Sequence, residues 1–245
     1  MPSGNQALSS VAISVIVTNR VISGFGELIS GAEKQITQQI ALGELDTETS
    51  ITDRFMDRVR AVFEQHGRIH DDGILFIVRT LRDRGTGAPE KKYGADICGI
   101  LHVNVKGLQV SKGFLAQAKM ATRGIRVRFE NRGRVVVGFP AQGGEDTGNQ
   151  INDMLRITPD SYLFVYDPDG FAVVPAQTVG CLGQRGEVYG KKVPSFFKEL
   201  LMCFIGDHRL KAYDDQQLGG LRMETNARTA MLIEILSGAG ELEGG

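Results

Sequence analysis

Residues Phe114 to Lys119, read FLAQAK, constrain this chain more than any other stretch, because an apolar strand there carries an amide and an ammonium on one face. Successive side chains of an extended strand alternate faces, so Gln117 and Lys119 point the same way as Leu115, while Phe114, Ala116 and Ala118 form the opposite face. A strand this apolar is expected to be buried, and buried Lys or Asp is rare unless paired or metal-bound. A second segment, Gly94-Ala95-Asp96-Ile97, sets a carboxylate at the mouth of another apolar strand. If the two strands are neighbours, Asp96, Gln117 and Lys119 bring together a carboxylate, an amide oxygen and an ammonium. That set can hold a divalent cation and a phosphate.

The surrounding pattern reads as an α/β chain of mixed sheet character. Residues 5 to 43 read as mostly helical, with a partial apolar stripe at Ile36, Ile40 and Leu42. Ile51, Phe55, Val59, Val62 and Phe63 recur at helical spacing and Gly67 offers a stop. Ile74–Leu81, Asp96–Val105 and Gly113–Met120 read as strands, and Ile125–Val137 as a hairpin turning at Asn131-Arg132-Gly133. Gly143–Gly148 reads as a polar loop, and Ile151, Met154 and Leu155 start a short helix. Tyr162–Tyr166 and Phe171–Val174 flank the turn Asp167-Pro168-Asp169-Gly170. Phe197, Leu200, Leu201 and Phe204 give a helical stripe ended by Gly206, and a last helix is expected over Thr225–Leu236. The organisation expected is one domain of 245 residues: an N-terminal helical extension over 1–43, a core over 48–176 and C-terminal helices over 193–236.

A net charge of −1 gives no global sign of nucleic-acid binding, so any such surface must be local. One local cluster exists. Arg123, Arg126, Arg128, Arg132 and Arg134 follow Lys119 and face Glu130 alone, and Arg126 and Arg128 share a face of the hairpin. They are candidates to grip a phosphate backbone. A solvated hairpin of alternating charge is the competing reading. Cys98, Cys181 and Cys203 form no C-x-x-C pair and sit in apolar surroundings, which suits a reduced cytoplasmic protein. Four scattered histidines argue against a zinc site. The run Ala12–Val17 is too short to span a bilayer, and no basic signal-peptide region precedes it, so no membrane role is expected.

Glu48 lies three residues before Ile51 and seven before Phe55, on the core-facing stripe if the helix already includes it. Singly, each polar residue has a plainer role. Glu48 can complement a helix dipole, Asp96 can close a turn, Gln117 can satisfy backbone, and Lys119 can snorkel to the surface. Glu90, beside Lys91 and Lys92, reads as solvated, and His70-Asp71-Asp72 as a turn.

The order of helix Glu48, strand Asp96 and strand Gln117-Ala118-Lys119 resembles the PD-(D/E)XK nuclease superfamily in its E…D…QxK form, which includes restriction endonucleases and phage-defence effectors. Residues 48 to 167 carry the resemblance, and Gln150–Ala176 is similar to uncharacterised bacterial restriction-like proteins. The resemblance implies a restriction-endonuclease-like core: a helix, three antiparallel strands, a helix and a further strand. It implies that Asp96 and Gln117 ligate Mg²⁺, with Mn²⁺ able to substitute, assisted by the Ala118 carbonyl and completed by Glu48. Lys119 is then the catalytic lysine and Gln150 an auxiliary residue on the following helix. The expected activity is Mg²⁺-dependent cleavage of double-stranded DNA in restriction or defence, by a homodimer or higher oligomer, with a companion defence protein as a further expected partner. Two departures stand out: no Pro precedes Asp96, and Gln117 replaces the usual Glu. The rival readings are a non-catalytic relative that binds nucleic acid or scaffolds a partner, and an RNA-cutting member of the same fold.

Overall fold

The computed structural model describes residues 19–69, 73–82, 94–105, 108–121, 124–130, 134–140, 145–182 and 186–237. Helix α1 (Asn19–Ala41) is followed by α2 (Glu48–His66), β1 (Arg68–Ile69), β2 (Ile74–Arg82), β3 (Ala95–Val105) and β4 (Leu108–Met120). Then come β5 (Arg126–Phe129), β6 (Val135–Phe139), α3 (Glu145–Ile157), β7 (Ser161–Asp167), β8 (Gly170–Pro175) and α4 (Ala176–Gly180). The chain ends through β9 (Gly186–Lys192), α5 (Val193–Leu201), α6 (Asp215–Glu224) and β10 (Ala227–Ser237). The glycine-rich stretch expected as a loop is in part helical, since α3 already begins at Glu145 and takes in Gly148.

Ten strands form one mixed sheet in the order β1-β2-β10-β3-β4-β7-β8-β9-β6-β5. Helices cover both faces, as a sheet with two apolar faces requires. On one face Phe25 and Ile29 of α1, Phe55 and Val59 of α2, and Phe196 and Phe197 of α5 pack against Phe114, Ala116, Ala118, Phe164 and Met231. On the other, Ile151 and Met154 of α3 and Leu218 of α6 pack against Cys98, Leu115, Leu163 and Leu232. The alternation along β4 is the one its sequence dictates. Helix α1 belongs to this core, and its buried Glu33 accepts the Phe171 N–H at 2.6 Å.

Helix α2 does include Glu48. Thr47 is the N-cap, its side chain accepting the Ser50 N–H at 3.1 Å in a reciprocal capping box. Gly67 caps the other end. Glu48 is therefore the first helical residue, and Ile51, Phe55, Val59, Val62 and Phe63 are all buried.

The C-terminal helix expected over Thr225–Leu236 is instead a strand. Helix α6 stops at Glu224, Asn226 takes a left-handed φ of 49°, and β10 begins at once. β10 lies between β2, to which it is antiparallel, and β3, to which it is parallel. Both of its faces are buried, so Ala230 to Ile235 read as a continuous apolar run apart from Glu234, without the alternation that marks a half-exposed strand. One consequence touches the expected core. The succession α2, β2, β3, β4, α3, β7 is present, but β2 does not pair with β3, because β10 separates them. The stripe on α5 is also shorter than expected, since Phe204 lies beyond the helix and is exposed.

Candidate functional site

The sheet topology gathers one end of several strands. β3 and β10 begin where β4 and β7 end, and the first turn of α2 lies against the same end. Asp96 stands near the start of β3. The β3–β4 ladder is paired as far as Ile97↔Ala116, and beyond it the Asp96 carboxylate takes over. Its Oδ2 accepts the Ala118 N–H at 2.8 Å and a hydrogen bond from Gln117 Nε2. Ala118 thus enters the site through its backbone N–H.

Glu48 reaches the end of β4, where its Oε1 accepts the Met120 N–H at 3.1 Å. Its Oε2 lies 4.0 Å from Lys119 Nζ. The same ammonium donates to Gln150 Oε1 on α3 at 3.1 Å. The structure therefore brings Glu48, Asp96, Gln117, Lys119 and Gln150 together, although they are scattered over about a hundred residues of sequence. Burial pushes the Asp96 carboxyl above its ordinary value, and Glu48 adds to that, while the Ala118 N–H, Arg228 and Lys119 pull it back. Below the site Thr52 Oγ1 donates to the Glu48 carbonyl at 2.7 Å. That commits its proton, so the buried Tyr166 hydroxyl donates to Thr52 Oγ1 at 2.9 Å.

The donor set fits a hard cation. Gln117 is 3% exposed, and its Oε1 is buried with no hydrogen-bond partner among the described residues. A buried carbonyl oxygen without a donor is costly unless something positive reaches it. Asp96, Glu48 and Gln117 would together offer oxygen ligands only. Among the described residues no three His, Cys, Asp or Glu side chains converge. A cation held by one or two carboxylates, with water and substrate completing its shell, is the pattern of Mg²⁺.

Two features were not legible in the sequence. Arg228, at the start of β10, stands in register opposite Asp96, between the pairs Ala227↔Ala95 and Thr229↔Ile97. Its Nε lies 3.7 Å from Asp96 Oδ1, and its Nη1 donates to Asp53 Oδ1 on α2 at 2.9 Å. An arginine heading an apolar run was the available signal, but it points to a site only once that run is a central strand.

The second concerns the arginine hairpin. Arg126 and Arg128 do share a face of β5, as expected. Glu130 is not their only opponent, however. Glu187 of β9 binds Arg128 through both guanidinium Nη atoms, at 2.9 and 3.1 Å. Arg134 lies 3.9 Å from Glu130 and 4.7 Å from the centroid of the exposed Tyr189 ring. Arg126 has no ion-pair partner among the described residues. In the sheet the hairpin is separated from β4 by β7, β8 and β9. Arg123 and Arg132 lie outside the described residues, as do Glu90, His70-Asp71-Asp72 and the residues after Ser237.

No family model matches the chain, and no curated protein and no solved structure matches it. Among the described residues no helix is long and apolar enough to cross a membrane.

Gln117→Glu tests whether a cation binds here. Gln117 Nε2 donates to Asp96, so a glutamate there would set two carboxylates against each other. The expected result is a lower melting temperature without metal and a larger Mg²⁺-dependent rise than in the wild type. Equal responses to Mg²⁺ in the two proteins would remove Gln117 from the cation's shell.

Proposed function

We propose that this protein is a metal-dependent nuclease that hydrolyses phosphodiester bonds in DNA, and that Asp96, Glu48, Gln117 and Lys119 form its active site. The observation that carries the reading is the buried, orphaned Oε1 of Gln117, whose Nε2 donates to the Asp96 carboxylate and whose strand also bears Lys119. Mg²⁺ bound there by Asp96, Glu48 and Gln117 would supply a water of lowered pKa and neutralise charge on the phosphate. Asp96 and Glu48 provide the negative charge. The N–H groups of Ala118 and Met120 hold those carboxylates in place. The Lys119 ammonium is held by Gln150 and lies near Glu48, so it is set to stabilise charge as it builds on the phosphate oxygens. Assembly as a dimer would suit cutting of both strands, and restriction or defence against foreign DNA is the setting this chemistry fits.

The experiment is to incubate the full chain with supercoiled plasmid in Mg²⁺, Mn²⁺, Ca²⁺ or EDTA and to resolve the products on a gel, with a structured RNA in parallel. Nicked and linear plasmid in Mg²⁺ or Mn²⁺ only is the expected result. Intact plasmid and intact RNA in every lane would overturn the reading in favour of a non-catalytic nucleic-acid-binding or scaffolding protein.

Two residues refine it. Glu48→Gln keeps an oxygen for the Met120 N–H but loses the charge, so the Mg²⁺ concentration for half-maximal cleavage should rise. A Glu48 that only complements the helix dipole would change stability by about 0.3–1 kcal/mol and leave the Mg²⁺ titration where it was. On the hairpin, Arg126→Ala should reduce the slope of log affinity against log salt by about 0.9, the value for one phosphate contact. Arg128→Ala should reduce it less, because Glu187 already neutralises that guanidinium. Identical slopes for Arg126→Ala and wild type would show that DNA passes elsewhere.

A further inference from the structure

Arg228 has more buried nitrogens without a hydrogen-bond partner than any other cationic side chain among the described residues. Its side chain is 13% exposed, close to Asp96 and Lys119 at 16%. Of its five N–H bonds, one on Nη1 is given to Asp53. Nε and Nη2 are buried and have no hydrogen-bond partner among the described residues. The 3.7 Å from Nε to Asp96 Oδ1 is too long for a hydrogen bond. Asp96 is moreover already engaged through Oδ2 by Gln117 and Ala118. Asp53 meets Arg228 through Nη1 and shares the same carboxylate oxygen with a second cation, Arg82, whose Nε lies 3.6 Å away.

Nε and Nη2 form one edge of the guanidinium plane. Two parallel N–H groups at that spacing match two oxygens of a carboxylate or a phosphate. Asp96 thus has an orphan on each side. On the β4 side Gln117 Oε1 is an acceptor lacking a positive partner. On the β10 side the Arg228 edge is a donor pair lacking a negative one. A cation alone would satisfy the first and worsen the second, by placing like charges together. A phosphate alone would do the reverse. A phosphodiester that arrives with a bound cation satisfies both.

We infer that Arg228 is a substrate-binding residue of this site, whose Nε–Nη2 edge grips two oxygens of the phosphodiester while Asp53 holds the opposite corner of the guanidinium. The inference rests on the nuclease reading for the nature of the substrate. With Nη1 anchored, the free edge has only to tilt toward the mouth of the site to meet the phosphate. Arg82 supports the anchor, donating from Nη2 to the Asp53 backbone carbonyl at 2.7 Å while the same Nη2 pairs with Asp57 Oδ1 at 2.6 Å.

The test compares Arg228→Lys and Arg228→Gln with wild type in two measurements: plasmid cleavage in Mg²⁺, and binding of a short labelled duplex in Ca²⁺ over a salt series. Arg228→Gln should weaken duplex binding about tenfold or more, the scale of one charge-assisted contact, and shrink the salt slope by about 0.9. Arg228→Lys should keep the slope, because its charge remains, yet recover neither the full affinity nor the full cleavage rate, because an ammonium makes no fork. Thermal melts establish that both variants are folded. If they are not, Asp53→Asn keeps an oxygen for Nη1 but removes the charge that anchors it, and should lower duplex affinity by loosening the guanidinium without altering the arginine. Wild-type affinity and rate in folded Arg228→Lys and Arg228→Gln, or in Asp53→Asn where those do not fold, would overturn the assignment and leave the nuclease reading intact. A wild type that cuts nothing but binds duplex in an Arg228-dependent manner would overturn the nuclease reading and keep the phosphate grip. A wild type that neither cuts nor binds would overturn both.

Discussion

Lys119→Ala is expected to lower the rate of plasmid cleavage by about a hundredfold to a thousandfold, the scale for one lost stabiliser of transition-state charge. The fold should survive. Lys119 makes one hydrogen bond to Gln150 and a 4.0 Å contact with Glu48, and it supports no backbone group. Glu48 keeps its bond from the Met120 N–H when the ammonium is gone. The affinity for duplex in Ca²⁺ should change little by comparison, since the ammonium acts most strongly when charge builds on the phosphate. Cleavage at the wild-type rate would remove Lys119 from the mechanism. Gln150→Ala should show a weaker version of the same effect, because it releases the ammonium without deleting it.

Asp96→Ala should combine loss of activity with loss of stability. The substitution strips the Ala118 N–H and Gln117 Nε2 of their acceptor and leaves Arg228 with Asp53 alone. Removing one partner of a buried charge pair costs about 3–5 kcal/mol. The lower end is expected, about 3 kcal/mol, because Asp53 still holds the guanidinium and the Asp96–Arg228 contact is a loose one. Asp96→Asn keeps an oxygen for Ala118, so it should be nearly as inactive but more stable than the alanine variant. Urea unfolding of both variants separates these effects. An alanine variant as stable as wild type would show that Asp96 does not hold this end of the sheet together.

The same carboxyl gives a pH signature. Burial raises its pKa in the folded chain above the ordinary 3.8. The folded state therefore binds the proton more tightly than the unfolded state. Linkage then requires that, without metal, this group's contribution to stability falls as pH rises from about 3.8 through the raised value. Asp96→Asn should lack that fall, and Mg²⁺ should offset it in the wild type. Urea midpoints measured across acidic to neutral pH, with and without Mg²⁺, check both statements. A pH profile unchanged by Asp96→Asn would place the titration elsewhere.

What the sequence determined by itself is what depends on neighbours along the chain. The Thr47–Ser50 box fixes the start of α2 and so puts Glu48 in its first turn. The turn Asp167–Gly170 joins β7 to β8, with Gly170 at a φ of 150° and the Asp169 N–H bonded to Asp167 Oδ1 at 2.9 Å. Strict alternation along β4 puts Gln117 and Lys119 on one face whatever the strand packs against. The tertiary structure alone decided which residues meet from far apart. Ala230 to Ile235 are, apart from Glu234, apolar on both faces, and such a run has no period to tell strand from helix. Only its insertion between β2 and β3 makes it a strand, and only that insertion carries Arg228 to Asp96. Glu187 likewise meets Arg128 because β9 pairs with β6 beside it. Strand pairing across such separations is set by burial of the whole sheet, which no local window of sequence contains.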